Sequence, residues 1–207
     1  MAQTLPVVGS NIPQRGTARS KQFWVSVLKA QGWTILGEIP DIPKAVVIGA
    51  PHTSNYDAFV GIPAAMALGL DVRIMVKDTY NRPPFRGLVR WLKMIPVDRS
   101  SAHGLVEQMQ ANFAKSDRLW IFIAPEGTRT SAPTWKSGFY RIACAAQVPI
   151  VMAGFDYKNK AIVFLGLFEP TGDFEVDLPH ILAFYKNMNG ANPELHSLPL
   201  RDIITHH

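Results

Sequence analysis

Residues 44–69 read KAVVIGAPHTSNYDAFVGIPAAMALG, and the order of features in this stretch decides the fold. Ala45-Val46-Val47-Ile48-Gly49 is short, rich in β-branched residues and bounded by Pro43 and Pro51, the pattern of a fully buried strand. Asp57 to Leu68 then reads as a helix, with Pro63 as a kink and Gly69 placed to end it. A buried strand followed at once by a helix points to a sheet layered with helices.

The alternation continues downstream. Val72 to Val76 reads as a second strand. Pro84 opens a short helix whose Phe85, Leu88, Val89 and Leu92 recur at i, i+3, i+4, i+7, with Arg86, Arg90 and Lys93 aligned on its flank. Ile95-Pro96-Val97 reads as an edge strand, because proline donates nothing to a ladder. Ser100 or Ser101 caps a helix carrying Leu105, Val106, Met109 and Phe113 on one side. Leu119 to Ile123 is the clearest buried strand in the chain. After it come a helix from about Gly138 to Gln147, a strand at Ile150 to Ala153, a turn at Asp156 to Lys160, a strand at Ala161 to Leu165, and a helix from about Leu178 to Met188.

Upstream, the first twenty residues read as a loosely ordered arm. Phe23, Trp24, Val27 and Leu28 follow with helical spacing, trailed by Trp33, Ile35 and Leu36. With Lys21 and Lys29 nearby, this segment suits either a membrane surface or packing on the core, and packing is favoured. The expectation is one α/β layered domain with a mixed, largely parallel sheet flanked by helices and preceded by an N-terminal amphipathic segment. Residues 1–40 form the arm and possible membrane-surface helix, and 41–207 form the α/β domain. A chain of 207 residues that is 47% hydrophobic can bury one substantial core.

Bulk properties narrow the setting. The lone Cys144 can form no internal disulfide and lies in the apolar run Ile142 to Ala146, so it reads as a small buried hydrophobe in a reducing compartment. The first 22 residues lack the continuous apolar run of a secretory signal. Ala58 to Leu70 falls short of the roughly 18 apolar residues a spanning helix needs. The net charge is +5, and Arg73, Lys77, Arg82, Arg86, Arg90, Lys93 and Arg99 set against Asp78 and Asp98 concentrate that whole surplus between residues 73 and 99. Such a patch attracts phosphorylated ligands, an acidic carrier protein or anionic headgroups, or else is a solvated face. No signature of a nucleic-acid-binding fold accompanies it.

Two short blocks carry chemistry. His52 follows the first strand directly and Asp57 falls in the first turn of the next helix. A neutral imidazole can accept a proton from an alcohol, and a carboxylate on its other nitrogen fixes the tautomer and stabilises the imidazolium. Far downstream, Pro125-Glu126-Gly127-Thr128-Arg129 follows the Leu119–Ile123 strand. There Arg129 offers a planar fork for phosphate, Thr128 and the amides after Gly127 an anion nest, and Glu126 either a bond to a substrate hydroxyl or a hold on Arg129. In α/β sheets ligands collect beyond the carboxyl ends of strands, so neighbouring strands would bring both blocks to one crevice. The plainer readings are a capping histidine and a Glu–Arg pair closing a turn. Arg99, just past a candidate strand, is a second phosphate ligand or a partner of Asp98. His103, His180 and His196 lack metal-ligand spacing relative to His52, so neither a metal nor any other cofactor is called for.

His52-x4-Asp57 and Pro125-Glu126-Gly127-Thr128-Arg129 resemble the paired signatures of the glycerolipid (lysophospholipid, 1-acylglycerol-3-phosphate) acyltransferase family. Ile95-Pro96-Val97-Asp98-Arg99 and Val148-Pro149-Ile150-Val151 are similar to its weaker blocks and fall in the same order. The likeness covers roughly residues 44 to 155. It implies an α/β core with a hydrophobic tunnel, and transfer of an acyl group from acyl-carrier protein or coenzyme A to a hydroxyl of a lysophospholipid-like acceptor. It also implies His52 as base, Asp57 as its orienting partner, Arg99 and Glu126, Gly127, Thr128 and Arg129 as acceptor ligands, and no acyl-enzyme. The location expected from it is the inner face of the cell membrane, reached from the cytoplasm by peripheral contact with anionic lipid, with no nucleic-acid partner. A thioester hydrolase using the same His–Asp pair, and a non-catalytic lipid-binding module, are the alternatives.

Overall fold

Ala45 to Ala50 are buried without a break, which puts the strand they form, β2 (Lys44–Ala50), inside the sheet and not at its rim. The computed structural model describes residues 5–97 and 102–205. Ahead of β2 stand α1 (Ala18–Gln31) and β1 (Thr34–Gly37). After it come α2 (Tyr56–Leu68), β3 (Val72–Lys77), α3 (Arg86–Trp91), β4 (Ile95–Val97), α4 (Ala102–Lys115) and β5 (Leu119–Ile123). The chain continues through α5 (Gly138–Ala146), β6 (Ile150–Asp156), β7 (Ala161–Phe168), α6 (Phe174–Ala183) and α7 (Leu198–Thr205).

Seven strands form one sheet in the order β1-β7-β6-β2-β5-β3-β4. β6, β2, β5, β3 and β4 are mutually parallel, while β7 runs antiparallel to β6 and β1 parallel to β7. The sheet is therefore mixed and largely parallel, as the alternation of elements implies. Alternate residues of β2 feed two cores. Val46, Ile48 and Ala50 join Met109 and Phe113 of α4, Phe139 and Ile142 of α5, and Ile181 of α6. Ala45 and Val47 join Leu28 of α1 and Val60, Ala64 and Leu68 of α2. Each fully buried Val, Leu, Ile, Phe or Met among them stabilises the fold by about 1.5–3 kcal/mol relative to exposure.

Several sequence expectations need correction. Ile35 and Leu36, to which the helical spacing assigns no element, lie in a strand. Gly32 ends α1 at φ 75, its amide bonding to the carbonyls of Leu28 and Lys29, and β1 follows as an edge strand on β7. That strand lies within 1–40 yet is hydrogen-bonded into the common sheet. The arm before α1 is pinned, not loose: Ile12 is fully buried, Asp71 N donates to Pro13 O at 2.8 Å, and Gln14 bridges Leu70. α1 packs on α2 through Leu28 and leaves Phe23 exposed.

α3 buries Val89 and Leu92 but leaves Phe85 and Leu88 about half exposed, at 50% and 51%. α3 is only six residues long and packs against the short turn at Asp78–Asn81, so part of its apolar stripe faces out. The last long helix begins at Phe174 and ends at Ala183, because the Asp173 side chain caps it by accepting from Glu175 N and Val176 N. Tyr185 and Met188 keep the apolar spacing and are buried, yet they reach the core from the turn and the irregular segment after α6. Cys144 is half-buried, and burial pushes its thiol up, away from the thiolate a nucleophile needs. Ser100 and Ser101 lie outside the described residues.

Candidate active site

β2 and β5 are adjacent parallel strands with Ile48 opposite Ile123, so the turns that follow them leave the same edge of the sheet. Their two blocks meet there. Glu126 Oε2 accepts from His52 N at 2.6 Å, closing a gap of 74 residues in sequence. The His52 side chain is 13% exposed, and its Nδ1 stands 2.7 Å from Oδ2 of Asp57, itself 1% exposed. With Nδ1 turned to a carboxylate, Nε2 is the ring nitrogen left to take a proton.

Asp57 holds its place through further donors. Ser54 N donates to Oδ2 at 3.2 Å, and the Tyr157 hydroxyl donates to Oδ1 at 2.5 Å. No motif in the sequence announces Tyr157, which arrives from the turn between β6 and β7.

The second block is a tight turn. Gly127 has φ 66 and its amide donates to Ala124 O at 3.1 Å. A side chain there would be strained, and its Cβ would come within 2.8 Å of Lys136. Glu126 is 2% exposed. Burial raises its carboxyl above the ordinary range, opposed by the His52 amide and by Ser197. Thr128 Oγ1 lies 2.9 Å from Thr130 Oγ1, and Arg129 is exposed. Arg99 lies outside the described residues.

A cavity of about 220 Å³ lies at this edge, and His52, Asp57 and Arg129 are among the residues that line it. Its walls are apolar: Val47, Trp120, Phe122 and Phe155 from the sheet, and Gly61, Ala64 and Ala65 from α2. The small residues of α2 leave the space that larger side chains would fill. Asp57 and Gly69 are separated by about 18 Å along the helix at 1.5 Å per residue. Arg15, also in the lining, donates its backbone N–H to Gly69 O at 2.8 Å and so marks the remote end. Its Nη2 donates to Trp91 O at 2.8 Å, and its guanidinium lies 5.8 Å from the Trp91 ring centroid. His52 and Arg129 thus line one largely apolar cavity.

A family model described as Acyltransferase matches residues 34–155, more than half of the chain. The chain belongs to the acyltransferase family. This agrees with the acyl transfer implied by the resemblance that the two motif blocks carry. Among solved structures, the acyltransferase is similar in fold to the 1-acyl-sn-glycerophosphate (LPA) acyltransferase PlsC from Thermotoga maritima. That likeness has 14% sequence identity and a TM-score of 0.50, covering 75% of this chain and 69% of the other. No curated protein matches the chain by sequence.

The matched segment runs from β1 to β6, and the acyltransferase adds a C-terminal strap beyond it. Asn192 donates from its backbone N to Thr53 Oγ1 at 3.0 Å and from Nδ2 to Thr53 O at 2.9 Å. A few residues on, Ser131 Oγ donates to His196 O at 3.0 Å, Leu198 N to Ala132 O at 2.9 Å, and Trp135 Nε1 to Ser197 Oγ at 2.9 Å. One segment therefore ties the His52 loop to the loop after β5. His196 Nε2 accepts from Gly190 N at 3.0 Å, which requires a neutral ring, and burial lowers its pKa accordingly. Most of these bonds use backbone groups, which leave no residue signature to read in advance.

Proposed function

We propose that the protein transfers a fatty acyl group from an acyl thioester, on acyl-carrier protein or coenzyme A, to a hydroxyl of a lysophospholipid-like acceptor. The observation that supports this most is the shared cavity: His52, paired with Asp57, and the exposed Arg129 line one largely apolar space. His52 Nε2 takes the acceptor's hydroxyl proton as the oxygen attacks the thioester carbonyl. The C–S bond breaks as the new C–O bond is completed, and the imidazolium returns its proton to the departing thiolate. Asp57 stabilises the imidazolium in between. The fatty chain lies in the channel along α2, whose remote end is marked by Arg15.

Arg129 and Thr128, with the amides after Gly127, hold the acceptor's phosphate, and Arg99 is a further ligand for it. Glu126 serves acceptor binding by holding this turn against the His52 strand. Arg129→Ala should raise KM for a phosphorylated lysolipid about tenfold or more, as loss of a charge-assisted bond implies. The same variant should treat an acceptor without phosphate as the wild type does. Steady-state assays with both acceptors check this, and an equal loss on both would remove the phosphate role from Arg129.

The protein meets its substrates as a peripheral protein on the cytoplasmic face of an anionic membrane. No helix among the described residues is long and apolar enough to cross a bilayer. α3 presents Phe85, Leu88 and Trp91 outward, each at least 50% exposed, with exposed Arg82, Arg86 and Arg90 around them. Tyr56 and Phe59, exposed in the first turn of α2, lie beside the channel-lining Asp57 and Ala58. Basic residues near such a surface contribute about 1 kcal/mol each. Arg86→Glu with Arg90→Glu should therefore weaken sedimentation with phosphatidylglycerol vesicles by about tenfold or more, and salt should weaken wild-type binding. Unchanged sedimentation would place the contact elsewhere.

A further inference from the structure

We propose that Tyr157 is a positioning residue for the reaction, its hydroxyl fixing Asp57 and, through Asp57, setting the basicity of His52. The proposal rests on the reading of His52 as the base. Its own support is geometric. Tyr157 is the first residue after β6, and its backbone is held from both sides: Tyr157 N donates to Asn189 O at 2.7 Å, and Lys160 N donates to Tyr157 O at 3.3 Å. The ring stands edge-on to Trp33 with centroids 4.9 Å apart and planes at 87°. From that mount the hydroxyl reaches Asp57 Oδ1 at 2.5 Å, while Oδ2 faces His52 and Ser54 N. The two carboxylate oxygens therefore have separate duties. Without the phenol, Oδ1 would be a buried carboxylate oxygen lacking a donor.

The phenol is suited to this position. Burial, and then the bond to Asp57, raise its pKa far beyond neutrality, so it remains a donor throughout the working range. The groups facing His52 are Asp57 from α2, with Glu126 and Arg129 from the turn after β5. Tyr157 lies behind Asp57, and Tyr56 lies near Tyr157. A hydrogen bond from Tyr157 stabilises the carboxylate and drains negative charge that would otherwise hold the imidazolium. Removing it leaves Asp57 a stronger partner for the charged ring, so His52 should stay protonated to higher pH.

Tyr157→Phe keeps the ring against Trp33 and deletes only the donor. The acid limb of the kcat/KM profile should move up by about half to one pH unit. kcat at neutral pH should fall by about tenfold, with KM for the acceptor little changed. An unmoved limb with unchanged kcat overturns the proposal. A titration of the His52 ring by nuclear magnetic resonance, its signal assigned with His52→Gln, tests the link without any turnover. A higher His52 pKa in Tyr157→Phe supports the coupling, and an equal or lower one overturns it. Should Tyr157→Phe fold poorly, adding 4-fluorophenylalanine or 3-fluorotyrosine at position 157 keeps the ring while removing or strengthening the donor. Opposite shifts in those two proteins support the proposal, and identical titrations overturn it. Wild-type protein that moves no acyl group from any donor counts against the function, whereas the ring titration judges Tyr157 separately.

Discussion

His52→Ala is expected to lower kcat by about 10²- to 10⁴-fold, the usual contribution of a placed general base, while the protein stays folded. The fold should survive because the link between the two loops uses the backbone amide of His52, which alanine keeps, and not the ring. Asp57 retains Ser54 N and Tyr157 as donors after the ring is gone. Acceptor affinity, which the proposed mechanism assigns to the turn after β5, should change little. Thiol release from an acyl thioester, measured beside the thermal unfolding midpoint, reads both consequences. Turnover at the wild-type rate would end the mechanism.

Glu126→Ala should damage both stability and rate. It strips the acceptor from a buried amide, at a cost of about 1–3 kcal/mol. It also frees the His52 loop, and a displacement of about 1 Å at a reacting group can cost roughly 100-fold in rate. Glu126→Gln separates the two possible duties of this side chain. Glutamine offers the same oxygen to His52 N, so most activity should remain if Glu126 acts by bracing the loops. Stability should also respond to pH in a defined direction. Because burial raises the folded-state pKa of Glu126, its contribution is fully present below the ordinary glutamate range and is lost as pH rises through the raised value. Glu126→Gln should flatten that decline in a series of unfolding midpoints, whereas an identical decline in both proteins would show that the carboxyl is not its source.

Much of this architecture is legible in the chain because burial on both faces writes itself as short β-branched runs. β2, β5 and β6 are read that way, and the Gly69 cap fixes the end of α2. The two motif blocks are legible for a related reason: each follows a buried strand, and parallel neighbours release their turns at one edge. β1 is hidden because four residues at a sheet edge are too few to show a strand's alternation. The stripe of α3 misleads because periodicity reports which residues are apolar, not whether anything lies opposite them. Tyr157 and the 190–198 strap could not be read in advance. They act through one hydroxyl and several backbone groups brought close only by the antiparallel return of β7 and the turns after α6.

The central claim is that one cleft joins a hydroxyl directly to the carbonyl of an acyl thioester, without storing the acyl group on the protein or handing it to water. The purified protein should be given an acyl thioester with and without a lysophospholipid, and thiol, ester and protein-bound acyl group followed together. The account predicts thiol release only when the acceptor is present, matched mole for mole by new ester. Steady thiol release without acceptor, or an acyl group retained on the protein as an intermediate, would contradict it.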